Sequence, residues 1–186
     1  MIRILTVLLS LWATAPFAAP WDLVQDETDI EVDVGYLGST VTMHFEEVLA
    51  SIDFDANRPE SARANIVVPV AQVETGLGVV NNLVKSKDYL NAREFPDIRF
   101  SIKRLVQTSD RTADVFGDMT LLGVTNPMLF KAKLFRYGES KTVPGKFEAG
   151  FDLAGQVDRR HFGSDTGIPQ VSAVLPIRIH LLMRER

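Results

Sequence analysis

The stretch GDMTLLGVTNP, Gly117 to Pro127, decides how this chain is read. Its first half alternates as an extended backbone does, with Gly117, Met119 and Leu121 on one side and Asp118, Thr120 and Leu122 on the other. Its second half reads as a turn. Gly123 tolerates a positive φ, Asn126 suits turn geometry, and Pro127 fixes its own φ while biasing Asn126 away from helix. An apolar strand face of this kind either fills a packed core or lines a cavity, and its surroundings must decide between the two.

Outward from that stretch, the same period of two recurs along most of the chain, as antiparallel strands with one buried face require. Ile30, Val32 and Val34 alternate with Glu31 and Asp33; Val41, Met43 and Phe45 alternate with Thr42 and His44. Ile52 and Phe54, then Ala62, Ala64, Ile66 and Val68, then Ile98, Phe100 and Ile102 continue the register. Phe147, Ala149, Phe151 and Leu153 give the clearest alternation, and Ile177, Ile179 and Leu181 close the series. Pro69 and Pro176 fall in or beside these runs, where each removes a ladder donor, so a bulge or strand end is expected at both. Between Glu74 and Ile98 alternation stops, and Val79, Val80, Leu83, Val84 and Leu90 take a helical spacing that Pro96 terminates. DANRPESA and YGESKTVPGK have the composition of hairpin connections.

Many strands of about ten residues with one helical interruption predict an all-β fold, a closed antiparallel barrel of about eight strands with a short helical insert, because closure removes exposed edges. A barrel of that size is wide enough to be filled by side chains or to hold one slender ligand, and alternation alone leaves both open.

The first residues read differently. MIRILTVLLSLWATAPFAA carries one basic residue, then an apolar run from Ile4 to Trp12, then small residues, which is the layout of a secretory signal peptide cleaved after Ala18 or Ala19. The run is too short to span a bilayer. Residues 20–186 then form one exported domain, expected in the periplasm. The chain has no cysteine and a net charge of −4, so a disulfide framework, a thiolate metal site and a basic nucleic-acid footprint are all excluded.

At this point the residues resemble a known family. GDMTLLGVTNP is similar to the Gly-Asp-Leu-Thr-x-x-Gly-Val-Thr-x-Pro signature of the YceI-like proteins, and IDFD (Ile52 to Asp55), VETG (Val73 to Gly76), LVKSKDYLNAREFPDIRFS (Leu83 to Ser101) and RRHFG (Arg159 to Gly163) follow in the family's order. Tyr36 and Met43 stand where the family commonly has a histidine and a glycine, so no histidine at a tunnel mouth carries over. The resemblance implies a lipocalin-like barrel whose apolar tunnel binds an isoprenoid lipid, such as an isoprenoid quinone or a polyprenyl phosphate, with no covalent cofactor. It implies that Met119 and Leu121 face the tunnel. It also implies a b-type membrane cytochrome as a partner.

The residues carry no catalytic constellation. His44, His161 and His180 lack metal-ligand spacing, and His44 and His180 sit on the polar phase of their strands. There is no Gly-x-Ser-x-Gly elbow and no phosphate-binding glycine loop. A binding protein is therefore expected. The alternatives are an enzyme or adaptor acting on quinones with a membrane redox partner, and an outer-membrane barrel, against which the chain's few girdle aromatics argue. The candidate lipid contacts are Phe45, Phe54, Phe100, Phe151 and Phe162, each of which could instead be simple core. Leu83, with Val84 and Leu90, is expected to plug one end. Arg159, in the Arg-x-x-Phe-Gly position, is expected at a rim, either holding the ligand's head group or pairing with Asp158 or Asp165 to pin its loop. Gly117, Gly123 and Gly163 are expected at turns or bulges.

Overall fold

The computed structural model describes residues 19–186. The expected signal segment lies outside the described residues except for Ala19, which opens the first strand. The strands are β1 Ala19–Leu23, β2 Asp29–Tyr36, β3 Ser39–Phe45, β4 Leu49–Phe54, β5 Arg63–Pro69, β6 Asp97–Ser109, β7 Thr112–Leu121, β8 Val124–Glu139, β9 Phe147–Asp158 and β10 Val174–Glu185. A single α-helix, α1 Gly78–Lys85, interrupts them among the described residues.

Four of these strands are two bent ones. β10 pairs with β2 through His180 and Asp29 and then, further along the same edge, with β1 through Met183 and Leu23. β3 lies on β2, and β4 lies between β1 and β5. Counted this way the chain runs up and down eight times, each strand antiparallel to the last, and β10 closes the ring on the first. This is the predicted closed barrel. Its connections fall at two ends. The β2–β3 and β7–β8 turns, the α1 insert and the long β9–β10 connection lie at one; the β4–β5, β6–β7 and β8–β9 connections lie at the other.

The opening stretch departs from its reading in one respect. The turn is only Leu122 and Gly123, with φ of 51° and 74°, the pair of positive values that a two-residue type I′ hairpin needs. Asn126 and Pro127 have already joined β8, opposite Met119 and Asp118. Pro127 is tolerated because β8 acquires its second neighbour, β9, only from Lys131. Pro69 ends β5 as expected. Pro176 lies inside β10 without a register shift, on the residue before β2 joins the other edge at Ile177.

Gly117 stands at a bulge rather than a turn, opposite the register shift in β6. It faces the barrel interior opposite Ile102, and the Phe100 ring lies where its Cβ would be, with the Ser101 carbonyl oxygen 2.5 Å from that position. A bulge between Ile102 and Arg104 then shifts the phase of β6, so that Leu105 and Gln107 turn inward where Ile98, Phe100 and Ile102 had been. A bulge between Leu134 and Arg136 does the same in β8 and turns Tyr137 inward.

Candidate functional site

The interior is more deeply buried at one end than through the rest, and one cavity runs along both. At the end covered by α1, Phe45 (1% exposed), Phe130, Val157 and Leu175 form a continuous buried cluster. Toward the other end Ile52, Ile66, Ile102, Leu134, Leu153 and Leu181 also point inward and line the bore, yet each is only half-buried. Between them runs a cavity of about 450 Å³, within the ~300–1,000 Å³ usual for small-molecule sites.

The bore has a floor and a mouth. Met119 and Leu121, both buried, line its lower wall next to Phe45, and Leu90 of the insert reaches into it. Val84 packs on the same cluster. The Phe95 ring presses on Gly123, fastening the insert to the β7–β8 turn. At the mouth the lining becomes polar: exposed Gln107, Ser109, Asp110 and Arg111 and half-buried Thr112 of the β6–β7 hairpin, with Tyr137 of the neighbouring β8 beside them. Near that rim Trp21, Phe54 and Phe151 make two edge-to-face ring contacts, with centroids 5.7 and 5.8 Å apart, and Trp21 Nε1 donates to the Phe54 carbonyl at 2.9 Å.

Of the residues singled out in the sequence, Phe45, Phe54, Phe100, Met119, Leu121 and Phe151 come together on the bore. Three do not. Leu83 is 49% exposed on the outer face of α1, because the helix turns Val84 inward instead. Phe162 is buried in the packed cluster without reaching the cavity. Arg159 is 4% exposed and sits at the closed end, in the β9–β10 connection. Its guanidinium donates to the carbonyls of Ser172 (2.9 Å), Ser164 (3.1 Å), Thr166 (2.8 Å) and Val171 (3.3 Å), so its donors tie the loop together and burial lowers its pKa. Of its two expected carboxylate partners, Asp158 binds Arg160 instead, at 2.6 Å, which holds that carboxyl down at about 2, and Asp165 acts on Arg159 only through its charge.

The outer wall carries the charge. Lys103 pairs with Asp118 at 3.2 Å, Lys131 with Asp114 at 3.0 Å and Arg178 with Glu31 at 2.7 Å, each across neighbouring strands. His180 bonds Asp152 at 2.7 Å and stacks on Phe135; His44 bonds Asp29 at 3.1 Å. Asp29, Glu31 and His44 lie within 4.8 Å of one another, the spacing of a metal site, but Arg178 already occupies Glu31 and His44 occupies Asp29. Beneath the β8–β9 loop, buried Glu148 accepts from Ser140, Arg184 and Arg136; the Ser140 hydroxyl is the largest of the influences that lower its pKa.

Sequence reasoning missed the closing strand β1 and most of β8. The β8 signal was legible in Phe130, Ala132 and Leu134 against Lys131 and Lys133, but the bulge makes Leu134 and Phe135 consecutive and blurs the period.

An antiparallel barrel with an apolar bore and a charged exterior has the architecture of a small-ligand-binding barrel. The YceI-like domain model matches residues 21–183, and the chain belongs to that family. A UPF0312 protein from Pseudomonas fluorescens Pf-5 is 36% identical over 140 residues, covering 72% of this chain and 70% of its own. Another from Pseudomonas putida F1 is 30% identical over 161 residues, covering 85% and 82%. Among solved structures, the YceI protein of Campylobacter jejuni superposes with a TM-score of 0.74 at 25% identity, over 80% of this chain and 86% of that one. A polyisoprenoid-binding domain from Saccharophagus degradans superposes with a TM-score of 0.67 at 12% identity, over 92% of this chain and all of that one, a likeness of fold alone.

Proposed function

We propose that the protein is a lipid-binding protein that holds one long isoprenoid chain in its bore, tail toward the floor, and that it does so without catalysis, as an exported periplasmic carrier. The observation that carries this reading is the half-buried apolar lining around a continuous cavity: a wall of Ile, Leu and Phe side chains offers dispersion contacts and no water-compatible partner to anything but another apolar chain. Each isoprene unit moved from water into such a lining gains roughly 2–3 kcal/mol, about that of a leucine side chain. An isoprenoid quinone or a polyprenyl phosphate supplies such a chain. The Saccharophagus degradans neighbour, itself a polyisoprenoid-binding domain, supports the same ligand class.

The charged cross-strand pairs of the outer wall argue against an outer-membrane barrel, whose exterior would be an apolar band. The test compares delipidated protein loaded with a quinone of natural tail length and with the same head group lacking a tail. The tailed form should bind more tightly by orders of magnitude, because the tail supplies most of the free energy. Equal affinities would defeat the reading.

A further inference from the structure

We propose that the rim of the mouth is a docking surface for an anionic lipid bilayer, which lets the bore exchange its chain with the membrane; the exchange rests on the reading of the bore given above. The rim is built around two rings. Tyr137, 50% exposed, lines the mouth, and Phe147, 38% exposed, lies beside it with the centroids 5.9 Å apart. Tyr137 is brought to the inner side by the β8 bulge and lines the mouth of the bore, and Phe147 extends that patch outward beside it without lining the cavity.

Cations surround this pair. Lys146 precedes Phe147, Lys141 is in the same loop, and Lys133 stands opposite Thr112 at the β6–β7 hairpin. Arg111 is braced against β8 by bonds to the Leu134 and Phe135 carbonyls at 3.1 and 3.2 Å. Among the described residues no ion pair joins a carboxylate to these four; Asp110 and Glu139 are near neighbours in the chain, Asp152 stands across from Lys133 on β9 but bonds His180, and Glu148 is consumed by Arg136 and Arg184. The side of the rim made by the β6–β7 and β8–β9 connections thus carries these four cations against Asp110 and Glu139, although the chain as a whole carries −4; the β4–β5 connection at the same end adds Asp55 and Glu60 beside Arg58. Amphipathic rings at a mouth, ringed by lysine and arginine, suit the headgroup layer of an anionic membrane.

The closed end also exposes apolar side chains, Tyr36 and Leu37 at the β2–β3 turn, Val124 at the β7–β8 turn and Leu77, Val79 and Leu83 at α1, but it lacks both the open bore and the excess of cations. Its cations Lys85, Lys87 and Arg93 are balanced in sequence by Glu74, Asp88 and Glu94, and the insert seals the bore behind them.

Flotation with vesicles of phosphatidylcholine containing phosphatidylglycerol, beside vesicles of phosphatidylcholine alone, tests the surface. The wild type should partition onto the anionic vesicles more strongly, and less so as salt rises. The double variant Lys141→Glu, Lys146→Glu should lose on the order of tenfold or more in partitioning, and Phe147→Ser should lose several-fold, while Val79→Ser with Leu83→Ser should bind as the wild type does. Rim variants that bind like the wild type, loss in the helix variant instead, or association only when a membrane protein is present would each overturn the proposal. Displacement of a fluorescent long-chain alkyl probe, measured without vesicles, reports the bore separately. Phe147→Ser and the lysine variant should leave it unchanged, and failure of the wild type to bind that probe would sink the bore reading while leaving vesicle docking to stand or fall by flotation.

Discussion

The two ends of this barrel are made of the same residue types, line one cavity and differ in how deeply they are buried. At the closed end Phe45, Phe130, Val157 and Leu175 belong to the buried cluster and form the inner wall of the cavity, and α1 with the β9–β10 connection covers them. Toward the mouth Ile52, Leu134, Leu153 and Leu181 face the same axis and the same cavity but stay half-buried. Composition does not separate a core from a binding site; what separates them is whether the opposite wall comes within van der Waals reach. The packed floor holds the ring together, which leaves the upper walls free to meet a ligand.

That contrast is broken or sharpened first by truncation. Phe45→Ala should cost about 3–5 kcal/mol, because it removes a fully buried ring and leaves a void in packed surroundings. Leu181→Ala should cost only about 1–2 kcal/mol, since the space beside it already exists and only part of the transfer term is lost. Denaturant unfolding of the delipidated proteins compares them. Equal losses would mean that the upper bore is packed as tightly as the floor.

Arg159→Gln comes next. Four carbonyls of the β9–β10 connection lose a charged donor, and a shorter amide can reach only some of them, so a loss of about 2–3 kcal/mol is expected. Because Arg159 lies at the closed end and does not line the bore, affinity for a tailed ligand measured well below the melting transition should stay within about twofold, a shift far smaller than one charged hydrogen bond. Unchanged stability together with weakened binding would restore the head-group role that its motif had implied.

The barrel was legible in the sequence because alternation survives wherever a strand has one buried face, as in Phe147 to Leu153. It failed where the backbone breaks period: the bulges in β6 and β8 invert the phase, and the two-residue turn at Leu122 and Gly123 returns the chain to a strand sooner than Asn126 and Pro127 implied. Six of the expected contacts lie on the bore because strand phase alone aims them. Arg159 and Phe162 were misplaced for a different reason. Their positions depend on which end of the barrel the insert covers, and no local pattern encodes that. Leu83 was misplaced by one residue of helical phase, about 100°.

The smallest expected effect tests that last point. On α1 and the turn after it, Leu83 points to solvent while Leu90 reaches the bore and packs on the floor. Leu83→Ser exchanges a half-exposed side chain for a polar one and should change stability by no more than about 0.5 kcal/mol, as surface substitutions do. Leu90→Ser should cost about 1–2 kcal/mol and speed amide exchange in the insert, because a hydroxyl would then face an apolar wall without a partner. If Leu83→Ser proved the costlier of the two, the outward turn of that helical face would be wrong, and the insert would close the bore with the opposite side of α1.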